Sequence, residues 1–169
     1  MKKSTMILLG VLAVIVIIIS MLGGSYNSLV TKQEQVDKEL ANIDVQLERR
    51  ADLIPNLVST VKGYTSHEAE IIDKITIARE NLLKADSVSE KSTANNELTS
   101  ALNALMVVVE NYPDLKSNQN FIQLSDELAG TENRIATARR DYNDSVTSYN
   151  TSIKKFPTNI LAGMFGFEK

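Results

Sequence analysis

Between Lys3 and Lys32 the chain carries no charged residue, and inside that stretch Met6 to Leu22 reads MILLGVLAVIVIIISML, interrupted only by Gly10 and Ser20. As a helix, a run of this length covers roughly 30 Å, the thickness of the hydrocarbon core of a bilayer. A cleaved signal peptide is the alternative. Its apolar segment usually has about 7–15 residues and is followed by an A-x-A-like site. Here the run is longer, no such site follows, and no Cys is available for lipid attachment. The reading is an uncleaved single-pass anchor over residues 1–24. Met6, Ile7, Leu8, Leu9, Val11, Ile15, Ile18 and Leu22 are its apolar surface, and the lipid bilayer is its partner. Lys2, Lys3 and the α-amino group lie on one side of the run, and Lys32 and Lys38 on the other. The positive-inside rule is close to a tie. The two nearest lysines favour a cytoplasmic N-terminus and an extracytoplasmic body.

Splitting the chain at residue 25 changes its charge arithmetic. The 169 residues hold 18 basic and 21 acidic side chains, net −3; without Lys2 and Lys3 the body has 16 against 21, net −5. An acidic body gives no reason to expect nucleic acid as a partner. The absence of Cys excludes disulfide scaffolds, thiol catalysis and cysteine-bound zinc or iron–sulfur sites.

The body reads as helix, because its apolar residues recur every three or four positions. Leu29, Val36, Leu40, Ile43 and Leu47 share a phase with Ile54, Leu57, Val61 and Tyr64, then with Ile71, Ile75, Ala78 and Leu82. Pro55 either kinks one long helix or sits in the first turn of a fresh one capped by Asp52; a kink is the preferred expectation. Gly63 marks a turn, and Thr65 with Glu68 fits a capping box, as Ser87 with Glu90 does after the polar stretch Asp86–Asn96. Leu98, Leu102, Leu105, Val109 and Tyr112 mark a third helix that stops at Pro113. From Phe121 to Phe156 a last stripe runs for roughly 40 residues, about 60 Å, until Pro157. The expected fold is all-α: an N-terminal transmembrane helix, then a long antiparallel up-down four-helix bundle over residues 25–157. The long stripes also suit a coiled-coil homo-oligomer. Residues 158–169 form an apolar tail with Ile160, Leu161, Met164, Phe165 and Phe167. It is expected at the bilayer interface; capping the base of the bundle and disorder are the alternatives.

Few side chains suggest a reaction. There is no phosphate-binding glycine loop, no G-x-S-x-G and no H-E-x-x-H. The lone His67 stands beside Glu68 at a helix start, where it needs no catalytic role. A di-iron bundle would need two Glu-x-x-His motifs, and none is present. A carboxylate-only site for calcium or magnesium would draw on Glu68, Glu110 and Glu132. Arg49, Arg50, Arg79, Glu110, Glu132, Arg134, Arg139 and Arg140 sit among apolar positions. They read first as interhelical ion pairs that fix register, and second as a polar pocket for a partner or small anion. Arg50, in phase with the apolar stripe, is the foremost of them. The expectation is a non-enzymatic protein with no cofactor and no metal.

Several motifs together resemble the LemA family. They are Tyr26-Asn27-Ser28-Leu29-Val30, Arg49-Arg50-Ala51-Asp52-Leu53-Ile54-Pro55-Asn56-Leu57-Val58, His67-Glu68 and Ala78-Arg79. Glu110-Asn111-Tyr112-Pro113-Asp114-Leu115, the run Thr131-Glu132-Asn133-Arg134-Ile135 through Arg139-Arg140-Asp141-Tyr142-Asn143, and Phe156-Pro157-Thr158-Asn159-Ile160 complete the set. The resemblance covers residues 26 to 167 and implies a bacterial protein of the inner, cytoplasmic membrane with a helical bundle and no catalytic site. It marks Arg50, Asp52, Pro55, Asn56, Glu68, Arg79, Glu110, Glu132, Asn133, Arg139, Tyr142 and Asn143 as polar residues for structure or partner recognition. One member of that family is linked with magnetosome membranes, and others sit beside membrane proteases. A scaffold that self-associates or organises the membrane or envelope proteins is therefore expected. An adaptor or regulator of a membrane protease or envelope signalling pathway is the alternative.

Overall fold

Helix is the element that a spacing of three and four residues permits, and the chain is helical almost throughout. The computed structural model describes residues 3–65 and 68–168, with side chains from Ile7 onward. The side chain of Met6, named above in the anchor, and the whole of His67 lie outside the described residues. Six helices and no strand occur among the described residues: α1 Lys3–Lys62, α2 Ala69–Lys84, α3 Val88–Val109, α4 Pro113–Lys116, α5 Gln119–Lys154 and α6 Thr158–Phe165.

α1 is one helix of 60 residues, about 90 Å at 1.5 Å per residue. It contains the apolar run, passes Gly23-Gly24 without a break, and continues through Pro55. This settles the choice at Pro55: one helix, not two. It ends where Gly63 and Tyr64 donate to the carbonyls of Thr60 and Val61. Among the described residues α1 alone is long and apolar enough to cross a membrane, by length and composition. The large apolar side chains from Ile7 to Leu22 are all exposed, as suits a lipid-facing surface.

The chain divides into two units, Met1–Ala41 with Arg139–Lys169, and Asn42–Ala138. α1 and α5 contribute to both. In the second unit the buried stripe is Ile43, Leu47, Ile54, Leu57 and Val61 on α1, Ile72, Ile75, Ala78 and Leu82 on α2, Leu98, Leu102, Leu105 and Val109 on α3, and Phe121, Leu128 and Ile135 on α5. On α2 the phase runs through Ile72 rather than Ile71, which is only half-buried, and Tyr64 lies exposed. Ile54, Leu57, Ile75, Leu98, Leu115 and Ile135 are all but fully buried. Side chains of this size contribute about 1.5–3 kcal/mol each on burial.

α2 and α3 pack against each other as a hairpin. Its entry into α3 is the expected capping box: Ser87 Oγ accepts from the Glu90 N–H at 3.2 Å, and the Glu90 carboxylate accepts from the Ser87 N–H at 3.0 Å. The other expected box is absent. Thr65 Oγ1 donates back to the Val61 carbonyl at 3.2 Å, and Glu68, the N-cap of α2, makes no side-chain cap bond. Its carboxylate instead accepts from the Tyr112 hydroxyl at 2.9 Å.

In the first unit Leu29, Tyr149, Leu161 and Ala162 are buried, and Lys32 Nζ donates to Ser148 Oγ at 2.6 Å. Residues Thr158–Phe165 of the tail form the helix α6. α6 is closed by Gly166 at φ 74°, a left-handed conformation that favours glycine, while the Phe167 N–H donates to the Ala162 carbonyl at 3.0 Å.

Candidate functional site

Placing a charge in an apolar stripe is costly unless it is paired and hydrogen-bonded. Arg50 meets that condition inside the second unit. The residues at 43, 47, 50, 54, 57 and 61 share one face of α1, so the packing that buries Leu47 and Ile54 also buries Arg50, which is 3% exposed. Its Nη1 donates to Asn95 Oδ1 at 2.6 Å and to Thr99 Oγ1 at 3.1 Å on α3, and pairs with Glu132 Oε2 on α5. Thr99 Oγ1 in turn donates to the Asn95 carbonyl at 2.9 Å. One guanidinium thus ties three helices together. Glu132 is 39% exposed, so the carboxylate end of the node reaches water. Asn95 is fully buried, and its Nδ2 has no hydrogen-bond partner among the described residues.

Beside the node lies a cavity of about 340 Å³, walled by Leu57, Leu102, Leu105, Met106 and Leu128 and edged by Arg50, Thr99, Asn103, Ser125, Glu132 and Asn133. Its polar rim offers hydroxyl and amide groups together with the Arg50 guanidinium and the Glu132 carboxylate. The Arg50 charge is met by a carboxylate within the protein, which favours a register-fixing ion pair over an open anion site.

A second polar device follows from Pro55. Proline has no N–H, so inside a helix it leaves the carbonyl four residues earlier without its usual donor. That carbonyl belongs to Ala51, which is fully buried. Arg79 Nε, from α2, donates to it at 2.8 Å. Ala51 and Pro55 on α1 and Arg79 on α2 are therefore parts of one contact.

The remaining expected residues are dispersed. Asp52, Pro55 and Asn56 are exposed on α1, and Asn143 is exposed on α5. Glu68 holds the Tyr112 hydroxyl, and hydrogen bonding to that carboxylate raises the Tyr112 pKa above its ordinary value. Glu110, at the end of α3, pairs with Lys116 at 2.6 Å. Glu68, Glu110 and Glu132 are thus engaged separately, and among the described residues no cluster of three acidic, His or Cys side chains could hold a metal ion. Arg139 and Tyr142 are half-buried on α5 in the first unit. In the tail, Leu161 is buried and Phe167 half-buried, while Ile160, Met164 and Phe165 are exposed.

Sequence reasoning missed Asn95, which lies within the polar stretch Asp86–Asn96, and Thr99 just beyond it. The signal was there: Asn95 precedes Leu98 and Leu102 at the same three-and-four spacing that singled out Arg50. It also missed the pair of Lys91 and Asp44, 2.8 Å apart across α3 and α1.

A family model described as the LemA family matches residues 39–169, a range that contains Arg50, Pro55, Arg79 and Glu132. Two relatives from Paramagnetospirillum magneticum, Magnetosome protein MamQ 1 and Magnetosome protein MamQ 2, are each 31% identical over 190 residues, covering 97% of this chain and 70% of their own length. Protein LemA of Metamycoplasma hominis is 31% identical over 141 residues, covering 82% of this chain and 64% of its own length.

Proposed function

The chain belongs to the LemA family, and from that premise we propose that it is a non-catalytic, single-pass membrane protein whose helical body self-associates and scaffolds the membrane or the envelope proteins around it. The observation that carries this reading is the continuity of α1. The exposed apolar run leads into the body-building residues from Leu29 onward within one helix. A body joined to its anchor by helix rather than by a flexible tether is held to the bilayer in a defined way, which suits a structural role. The polar residues among the apolar stripes favour the same reading, since Arg50, Arg79, Glu68 and Glu110 are all occupied by contacts within the protein. Two relatives carry the name magnetosome protein, in keeping with a part in membrane organisation.

In this reading the later part of α1, with α2, α3 and α5, makes an antiparallel up-down four-helix bundle. Residues 1–24 are the anchor in the cytoplasmic membrane of a bacterial cell, and the body, residues 25–157, is extracytoplasmic. The test is reconstitution of the full-length protein in liposomes, followed by crosslinking and imaging. Regular assemblies of many copies are expected. A protein that stays monomeric at every protein-to-lipid ratio would overturn self-association, and its recovery from native membranes with a single protease would favour an adaptor. Sidedness is read from Val107→Cys, exposed on α3 in a chain with no other Cys. Labelling of intact cells by a membrane-impermeant maleimide is expected, and no labelling until lysis would reverse the orientation.

A further inference from the structure

α6 is apolar on both of its faces. Leu161 and Ala162 are buried within the first unit, but Ile160, Met164 and Phe165 are more than half exposed, and Phe156 just ahead of the helix is 81% exposed. Four large apolar side chains in ten residues, left bare, call for a second apolar neighbour. The helix's place along α1 says which. The Phe165 ring meets Tyr26 edge-on at 5.0 Å between centroids, and the Phe167 ring does so at 5.7 Å. Gly166 makes this double contact possible, because its left-handed turn sends the chain back after Phe165 and brings Phe167 to the same ring. Tyr26 lies four residues beyond Leu22, the last large residue of the apolar run, so it stands about 6 Å further along the helix. Aromatic residues at that level form the belt that marks a membrane–water interface. α6 is thereby pinned where the anchor leaves the hydrocarbon. Lys154 and Lys155, exposed immediately ahead of Phe156, supply positive charge of the kind that attracts anionic headgroups.

We infer that α6 is a membrane-binding helix. Its exposed face, Phe156, Ile160, Met164 and Phe165, inserts among lipids at the headgroup level beside the emerging α1, so that the protein holds the bilayer at two points. The clasp of Tyr26, Phe165 and Phe167 keeps those two points together. This rests on reading the apolar run as a membrane anchor.

The experiment uses the full-length protein in vesicles of phosphatidylethanolamine with phosphatidylglycerol, carrying one fluorescent label at a time through Met164→Cys, Ile15→Cys or Val107→Cys. Quenching is measured with a water-soluble quencher and with nitroxides at shallow and deep positions of the lipid. Expected at position 164 is loss of aqueous quenching together with strong quenching by the shallow nitroxide. Position 15 should respond to the deep nitroxide, and position 107 to the aqueous quencher alone. A label at 164 that is quenched from water while that at 15 is quenched from the membrane interior refutes the inference and leaves the anchor standing. If both are quenched from water, the anchor reading itself has failed. A label at 164 shielded from water but untouched by either nitroxide means that protein, such as a second copy of the chain, covers α6, and this also overturns the inference. A further variant, Ile160→Asn with Met164→Asn, leaves buried Leu161 and the Tyr26 clasp in place. With its label at Phe156→Cys it should regain aqueous quenching, and unchanged shielding there would count against insertion.

Discussion

The contact between Arg79 and the Ala51 carbonyl gives the sharpest test of the packing argument, because it exists only on account of Pro55. The Ala51 carbonyl is fully buried and has lost its helical donor, so Arg79 Nε at 2.8 Å meets a need that the helix cannot. Arg79→Met keeps most of the side-chain stem and removes the donor. Leaving a buried acceptor unmet costs about 1–3 kcal/mol, toward the upper part of that range because the lost donor is charged. For a chain of this size about 2 kcal/mol corresponds to a fall in Tm of about 4–8 °C. Pro55→Ala restores an N–H at position 55 that can donate to the same carbonyl. In that background Arg79→Met should cost little, leaving a coupling of about 1–2 kcal/mol between the two positions. Thermal unfolding of the four proteins in detergent, followed by far-ultraviolet circular dichroism, measures it. An Arg79→Met penalty of equal size with proline and with alanine at position 55 would refute the reasoning, since the arginine would then be serving something other than the orphaned carbonyl.

Arg50→Met should destabilise by about 2 kcal/mol, because it strips Asn95 Oδ1 of its donor in a site where Asn95 Nδ2 already lacks an acceptor among the described residues. Arg50→Met with Asn95→Leu should recover wild-type stability or exceed it, read by the same unfolding assay; a double variant weaker than either single one would show that the node stabilises the fold outright. Gly166→Ala meets no steric obstacle to its Cβ but forces a side chain into the left-handed region. It should cost about 1–2 kcal/mol and free the tail, seen as faster amide exchange at Phe167. Tyr112, whose pKa is raised by its hydrogen bond to Glu68, should lend stability below the ordinary tyrosine value that disappears as pH rises through the raised one. Tyr112→Phe should remove that alkaline dependence from an unfolding series. Glu90 is shifted the other way, its carboxyl held below the usual range chiefly by the Ser87 N–H, then by the Ser87 side chain and the Asp86 N–H. Its contribution is present above the ordinary carboxylate value and lost as pH falls through the lowered one, a dependence that Ser87→Ala should weaken in acid titration.

What the chain announces by itself and what it conceals divide along sequence distance. The apolar run needs only a count of uncharged residues, and the buried stripes need only their spacing. The Ser87–Glu90 cap spans three residues and forms as its pattern suggests. Thr65 and Glu68 carry the same pattern at the same distance, yet no cap bond forms there. The Tyr112 hydroxyl, 44 positions along the chain, takes the Glu68 carboxylate, and Thr65 turns back to Val61. A local rule is overruled where packing delivers a partner from elsewhere, and a sequence does not show that delivery. Arg50 illustrates the boundary. Its phase shows that it must be buried, and burial requires a counter-charge, but Glu132 stands 82 positions away and nothing in the spacing selects it over Glu127 or Glu110. Pro55 lies on the same boundary: proline declares that the carbonyl four residues back is orphaned, and leaves its donor unnamed. The Tyr26 clasp adds a third case, since an apolar tail is legible in its composition whereas the ring that holds it comes from the opposite end of the chain. In each case the chemistry of the need is local and the identity of the partner is set by register. Substitutions that shift register between α1 and its neighbours should therefore disturb all the contacts of one unit together, while leaving the Ser87 cap intact.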